Sequence, residues 1–220
     1  CLMPPAILLR DTVSLLGRYP VLAGLDLRVE DGEIVLLRGP NGAGKTSLLR
    51  TCAGLLRVAS GTATVLGHDL CVDRRTVRPQ IGLLGHATGL YDDLTVLDNL
   101  RFWARAVRAD QPDAIVDAAL DRVALAERLR SVAVARLSSG QRRRVSLAAM
   151  IVRRPRLWLL DEPHAGLDAE GRDLLDAMIA EAAASGATVL FASHELDRAV
   201  AVASRCVTIA GGVVVADDAA

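Results

Sequence analysis

The sequence predicts an α/β domain with a mostly parallel core sheet, and three observations predict it. Short apolar runs bounded by Gly or polar residues alternate with segments of helical spacing, the pattern of strand–helix–strand units. One run, "EIVLLRG", leads straight into a Gly-rich turn followed by an apolar helix pattern. Another, "LWLLDEP", ends in two adjacent carboxylates. Ligands of open α/β sheets bind at the carboxyl ends of the strands, where both features fall.

The elements follow in order. Ile7 to Glu30 alternates, and "LDLRVE" puts Leu25, Leu27 and Val29 on one face, which predicts strands. "EIVLLRG" predicts a buried strand. The helix after it, carried by Leu48, Leu49, Cys52, Leu55 and Leu56, is expected to run to about Leu56. "GTATVLG" predicts a short strand closed by Gly67, and Ile81–His86 predicts another. Texture then changes. Thr95 to Arg108 carries Leu97, Leu100, Trp103 and Val107 at helical spacing. Asp113 to Leu129 repeats that spacing with Ile115, Val116, Ala119, Leu120 and Val123, and Gln141 to Val152 predicts a third helix. The span of about 87–154 is therefore expected to be a helical insert between core stretches of about 1–86 and 155–220, in a single domain. The core resumes with "LWLLDEP", a helix from about Asp168 to Ala184, the strand "ATVLFASH", a short helix and a final strand pair.

Composition narrows the function classes. Apolar residues make up 51 % and aromatics only 3 %, so Leu, Val and Ala must fill the core. With a net charge of +0, nothing in the overall balance suggests a nucleic-acid or membrane-surface binder. Cys1, Cys52, Cys71 and Cys206 form no metal or disulfide spacing and read as small buried hydrophobes in a reducing compartment. No stretch has the form of a leader or of a membrane span; Arg205 and Gly211–Gly212 break the most apolar tail. A membrane role is therefore expected to come through a partner. The chain opens on Cys1 and not Met, so its natural start is expected to lie elsewhere.

The chemistry rests on "GPNGAGKTS". Gly39, Pro40, Asn41, Gly42, Ala43, Gly44, Lys45, Thr46 and Ser47 fit G-x-x-x-x-G-K-[ST], in which backbone N–H groups cradle phosphates. Lys45 is the only lysine in a chain holding 26 Lys and Arg. Its compact ammonium reaches phosphate oxygens as a point charge, which a planar guanidinium does not replace. The motif predicts nucleotide binding. Asp161 is expected to hold the water shell of Mg²⁺ while the Thr46 hydroxyl binds the ion directly. Glu162 is placed to act as general base towards water. "LSSGQRRR" opens a helix with Ser138, Ser139, Gly140 and Gln141, a second anion-binding terminus suited to a nucleotide from another subunit. Arg142–Arg144 behind it reads as a solvated or nucleotide-facing patch. His194 follows a strand and is able to hydrogen-bond a terminal phosphate.

Taken together, these residues resemble the ATP-binding-cassette (ABC) ATPases along essentially the whole chain. "GPNGAGKTS" is similar to Walker A, "LSSGQ" to the signature motif, "LWLLDEP" to Walker B, "AGLD" with Asp168 to the D-loop, and His194 to the switch histidine. The resemblance implies a P-loop NTPase with an N-terminal antiparallel β subdomain and an inserted helical subdomain. It also implies ATP and Mg²⁺ as ligands. Two copies, or two paired subunits, would close head to tail, each ATP held between one Walker A and the other Ser138–Gln141. Integral membrane transporter subunits would be the partners and the cytoplasmic membrane face the location, with no nucleic acid. Three positions depart from the family pattern. Ser139 stands where Gly is usual, and Tyr19 is the candidate adenine-stacking aromatic, though the register around "LLGRYP" is open. His86 stands where the coupling glutamine of the Q-loop belongs, Gln80 being too early. That "GH" variant, with "LTVLDNLRFW" and "LWLLDEPHAGLD", is similar to the ATP-binding subunits of the haem exporter of bacterial cytochrome c biogenesis. Drug- or lipid-export ATPases are the alternative. A soluble cassette acting on ribosomes is the rival class, disfavoured because no long coiled-coil insert or second cassette is present.

Overall fold

The computed structural model describes residues 4–85 and 89–220. It falls into two compact units. One takes the chain up to Leu83, then Pro155–Pro163 and Met178–Ala220; the other takes Leu84–Arg154 and His164–Ala177.

The first unit holds two sheets. β1 (Ile7–Leu16) pairs antiparallel with β2 (Tyr19–Val29) and with β4 (Val58–Val65), and the short β5 (His68–Asp69) completes that sheet in the order β2-β1-β4-β5. Alternation in β2 does what period-2 patterning requires: Leu25, Leu27 and Val29 are buried. The second sheet runs β10-β9-β3-β8-β7-β6. Its strands are β3 (Ile34–Arg38), β6 (Ile81–Leu84), β7 (Leu157–Asp161), β8 (Thr188–Ala192), β9 (Arg205–Ala210) and β10 (Val213–Ala219). β3 lies parallel to β8 and β9, and β7 parallel to β8; β10 turns back antiparallel. Parallel strands covered on both faces read as unbroken apolar runs, and Val35–Leu37, Leu157–Leu160 and Val189–Ala192 are all buried.

α1 (Lys45–Cys52) stops a turn earlier than its apolar spacing suggests. Gly54 takes φ +66, and a Cβ there would lie 2.0 Å from the Arg74 carbonyl oxygen. The N–H of Leu55 bonds back to Arg50 O, the left-handed closure that ends helices. Leu55 is left 46 % exposed, so its place in the spacing is accidental. α2 (Leu70–Asp73) and α7 (Leu196–Val202) are short connections, and α6 (Ala169–Ala184) runs through the division between the units.

The second unit packs α3 (Val96–Ala106), α4 (Pro112–Arg122) and α5 (Ser139–Arg153) on one another. The expected stripe of α3 is displaced: Val96, Asn99, Leu100 and Ala104 are buried, while Val107 is exposed. A polar residue inside accounts for it. The Asn99 amide accepts from Tyr91 N (2.8 Å) and donates to Tyr91 O and Thr95 O, tying the preceding loop to the helix. The helix expected from Asp113 to Leu129 ends at Arg122. Ala124 turns left-handed at φ 50, and a 3-10 turn covers Glu127–Leu129. Arg130 then folds back onto Asp117 and Asp121 of α4. Cys52 and Cys206 are buried as expected, but Cys71, within α2, is exposed, and Cys1 lies outside the described residues. No described helix is long and apolar enough to cross a membrane.

Candidate active site

The loop 39–44 is shaped by close contact with the strand that follows the second sheet's centre. A Cβ on Gly39 would sit 2.1 Å from the Ile209 carbonyl oxygen of β9, so no other residue fits there. Gly212 N donates to Ala43 O at 2.9 Å, and Ala23 N to Gly212 O at 3.0 Å, which moors the loop to β2. Gly44 caps α1 without a side-chain acceptor, so the first N–H groups of the helix are left to an anion. Lys45 is 8 % exposed, and its ammonium donates to Gly39 O (2.6 Å) and Pro40 O (3.1 Å), holding the charge over the loop. Asn41 and Gly42 form the exposed crest, and Ser47 O accepts the Thr51 hydroxyl one turn on.

The carboxyl ends of β3, β7 and β8 meet beside this loop, with Leu37 and Asp161 both opposite Ala192. The Thr46 hydroxyl donates to Asp161 Oδ2 at 2.7 Å. Among the described residues no three His, Cys, Asp or Glu side chains gather as a metal site. One hydroxyl and one carboxylate are nevertheless the donor set that suits Mg²⁺, which keeps waters and takes phosphate oxygens for its remaining positions. Glu162 adopts φ 48, and its N–H donates to Ala192 O at 2.9 Å. Its carboxylate accepts from His194 N at 3.0 Å, and His194 Nε2 lies 3.4 Å from its other oxygen. Asp161, Glu162 and His194 thus converge on the end of the sheet that the phosphate loop crowns.

In the second unit, Ser138 caps α5 in a reciprocal box. Its hydroxyl accepts from Gln141 N (3.2 Å), and Gln141 Oε1 accepts from Ser138 N (2.9 Å). Ser139 is exposed, so the hydroxymethyl group there meets no obstacle. Gly140 lies flat against the chain, a Cβ on it being 2.9 Å from Gly166 O. Asp168 caps α6 through Gly171 N (3.0 Å) and pairs with Arg144 at 2.9 Å; these two partners hold its carboxyl below the usual carboxylate range. The arginine run is therefore not a solvated patch. Arg143 is 7 % exposed and donates to Gly85 O, and Arg144 also donates to Val123 O. Only Arg142, on Asp92 and two carbonyls, keeps to the surface. Charge runs hide such roles, because neighbours on a helix face different ways. Tyr19 opens β2 with 79 % of its surface exposed, and His86 lies outside the described residues. Missed by motif reading is the buried pair His164–Asp176, whose only signal is a histidine beside the Walker B acids.

The sequence profile of the ABC transporter family matches residues 22–165. The chain belongs to the ABC transporter family. Among curated ABC relatives, the cytochrome c biogenesis ATP-binding export protein CcmA of Nitrobacter winogradskyi is 41 % identical over 182 residues, 81 % of this chain and 86 % of that protein. CcmA of Bordetella bronchiseptica is 42 % identical over 181 residues, 82 % and 80 % of the two chains. The daunorubicin resistance ATP-binding protein DrrA3 of Streptomyces coeruleorubidus is 38 % identical over 206 residues, 93 % of this chain but 65 % of that protein. Of solved structures, the ATP-binding subunit of an ABC transporter superposes with TM-score 0.89 at 28 % identity, covering 97 % of this chain and 90 % of that one. A dimeric ATP-binding cassette with bound ADP and phosphate gives TM-score 0.84 at 22 % identity, with 97 % and 98 % covered, and shows the same fold. This chain is an ABC-type ATP-binding subunit.

Proposed function

We propose that the chain is the ATP-hydrolysing motor of a membrane exporter serving cytochrome c biogenesis, with haem as the cargo. The observation that carries the hydrolytic part is the convergence of Thr46, Asp161, Glu162 and His194 beside the phosphate loop. The CcmA relatives, at 41 and 42 % identity, favour this exporter over other transporters.

In this reading the loop N–H groups and Lys45 hold the β- and γ-phosphates of ATP, with Tyr19 stacking on the base. Thr46 and Asp161 hold Mg²⁺, which would neutralise charge on the phosphate oxygens. Glu162 takes a proton from a water, whose oxygen bonds to the γ-phosphorus as the bond to the bridging oxygen breaks, leaving ADP and phosphate. His194 donates to the transferred phosphate. A second cassette subunit supplies its own Ser138–Gln141 to the same ATP, and the Asp168 region faces that partner. The transmembrane partner meets the second unit where aromatics, scarce elsewhere, gather: Tyr91 and Phe102 stack edge to face at 5.3 Å, and Arg153 lies over Trp103. The chain then works peripherally, on the cytoplasmic face of the membrane.

The test is loss of function in cells. Deleting the chain is expected to abolish covalently haem-loaded c-type cytochromes, with the Glu162→Gln variant unable to restore them. Normal cytochromes together with lost drug resistance would favour the drug-export reading, which the likeness to DrrA3 across 93 % of this chain supports.

A further inference from the structure

Among the described histidines, His164 is the one that is buried, inside a turn of the second unit at 1 % exposure. Its Nε2 lies 2.9 Å from Asp176 Oδ1, two turns into α6, and that carboxylate is itself mostly covered. A buried imidazole is tolerable only when hydrogen-bonded, so the pair sets where residue 164 sits. From there the chain makes a tight turn: Leu167 N donates to His164 O at 3.1 Å, with Gly166 left-handed at φ +78. Two features depend on that turn. The Gly166 carbonyl is the surface on which Gly140, at the start of α5, rests. Asp168, the next residue but one, caps α6 and grips Arg144 of α5. Pinning one end of the turn to Asp176 therefore fixes the D-loop and the first turn of the signature helix as one piece.

We propose that His164 is a positioning residue for the half of the nucleotide site that this chain presents to its partner. The proposal rests on the head-to-tail reading above. His164 touches no nucleotide. Its contribution is to keep Ser138–Gln141 and Asp168 preorganised, so that closing on the partner's ATP does not first have to order them. It predicts a separation of effects that a general loss of stability does not produce: ATP binding at the chain's own phosphate loop is spared, and partner-dependent steps are lost.

The experiment uses the full chain, with ATP affinity and kcat read in the parent and dimer formation read in the Glu162→Gln background, which traps the ATP-bound dimer. His164→Leu is expected to leave the Kd for a fluorescent ATP analogue within about twofold. It should lower kcat about tenfold, the scale of one lost positioning contact, and raise the ATP concentration needed for dimer formation by a similar factor. His164→Gln, whose amide can still donate to Asp176, should recover most of both. If His164→Leu does not fold, Asp176→Asn, which keeps the shape and one hydrogen bond, is read against Asp176→Ala in the same assays. Unchanged kcat and dimer formation in the folded variants overturns the proposal, as does a fall in ATP affinity that matches the fall in kcat. Failure of Glu162→Gln alone to dimerise with ATP overturns the head-to-tail reading instead, so the two failures are told apart.

Discussion

At the scale of the residue, the site depends on side chains whose substitutes differ in one property. Lys45 has its ammonium within 3.1 Å of two loop carbonyls, and a planar guanidinium is wider and makes a different set of contacts. Lys45→Ala is expected to abolish tight ATP binding, and Lys45→Arg to fail as well. Near-parental hydrolysis by the arginine variant in a phosphate-release assay would refute the point-charge argument. Glu162→Gln keeps the acceptor for His194 N but removes the base. Turnover should drop by about a hundredfold or more, the usual scale of general-base catalysis, while ATP still binds and a dimer accumulates on size exclusion. Parental turnover would assign the base elsewhere. The cysteines separate by environment in the same way. Burial pushes the Cys52 thiol up to about 12, and since the thiolate is the nucleophile it should resist iodoacetamide near about pH 8. Peptide mapping of the native chain should find Cys71 alkylated, slowly because desolvation raises its thiol too, with Cys52 and Cys206 labelled only in denaturant. Native labelling of Cys52 would contradict its burial.

At the scale of the element, the signature helix begins on a cap that serves structure as well as chemistry. Ser138→Ala removes the acceptor for Gln141 N and should lower stability by about 1 kcal/mol in urea unfolding, the typical worth of such a cap. Ser138→Asp, another good cap, should restore stability but not ATPase activity, since it sets a negative charge before a phosphate site. Activity in the aspartate variant would mean that the hydroxyl has no part in nucleotide contact. Elements also show how far sequence reading reaches. The parallel strands and the phosphate loop were legible because buried strands are uniformly apolar and because phosphate binding restricts residue types at fixed spacing. Helix ends were not. α1 stops where Gly54 must pass the Arg74 carbonyl, a contact with a residue twenty positions on that no local pattern contains. The face of α3 was misread for a related reason: hydropathy rates Asn99 as polar, yet its amide is satisfied inside by the loop at Tyr91. The placements of Arg143, Arg144 and His164 are likewise set by partners that no local pattern contains.

At the scale of the whole molecule, transport needs hydrolysis to reach a membrane partner, and His86 stands where the family resemblance puts a coupling glutamine. A glutamine there would touch the metal region and the transmembrane subunit together. Imidazole is shorter, and it takes a proton close to physiological pH, where a charged ring beside Mg²⁺ would be repelled. We therefore expect His86 to work neutral and to face the transmembrane partner more than the metal. Its neighbourhood is consistent with a part that must transmit force, because the preceding residue is held: buried Arg143 of the signature helix donates to Gly85 O at 2.7 Å. On this reading we expect a motion of α5 to be felt at the residue before His86 through that hydrogen bond. The measurement is ATPase activity of His86→Ala and His86→Gln, alone and in the complex with the membrane subunits. His86→Ala should keep basal turnover and lose stimulation by the partner, and His86→Gln should recover part of the stimulation. If both match the parent in the complex, the histidine is a strand-end cap. Arg143→Met should then also leave stimulation intact, whereas under coupling it loses it.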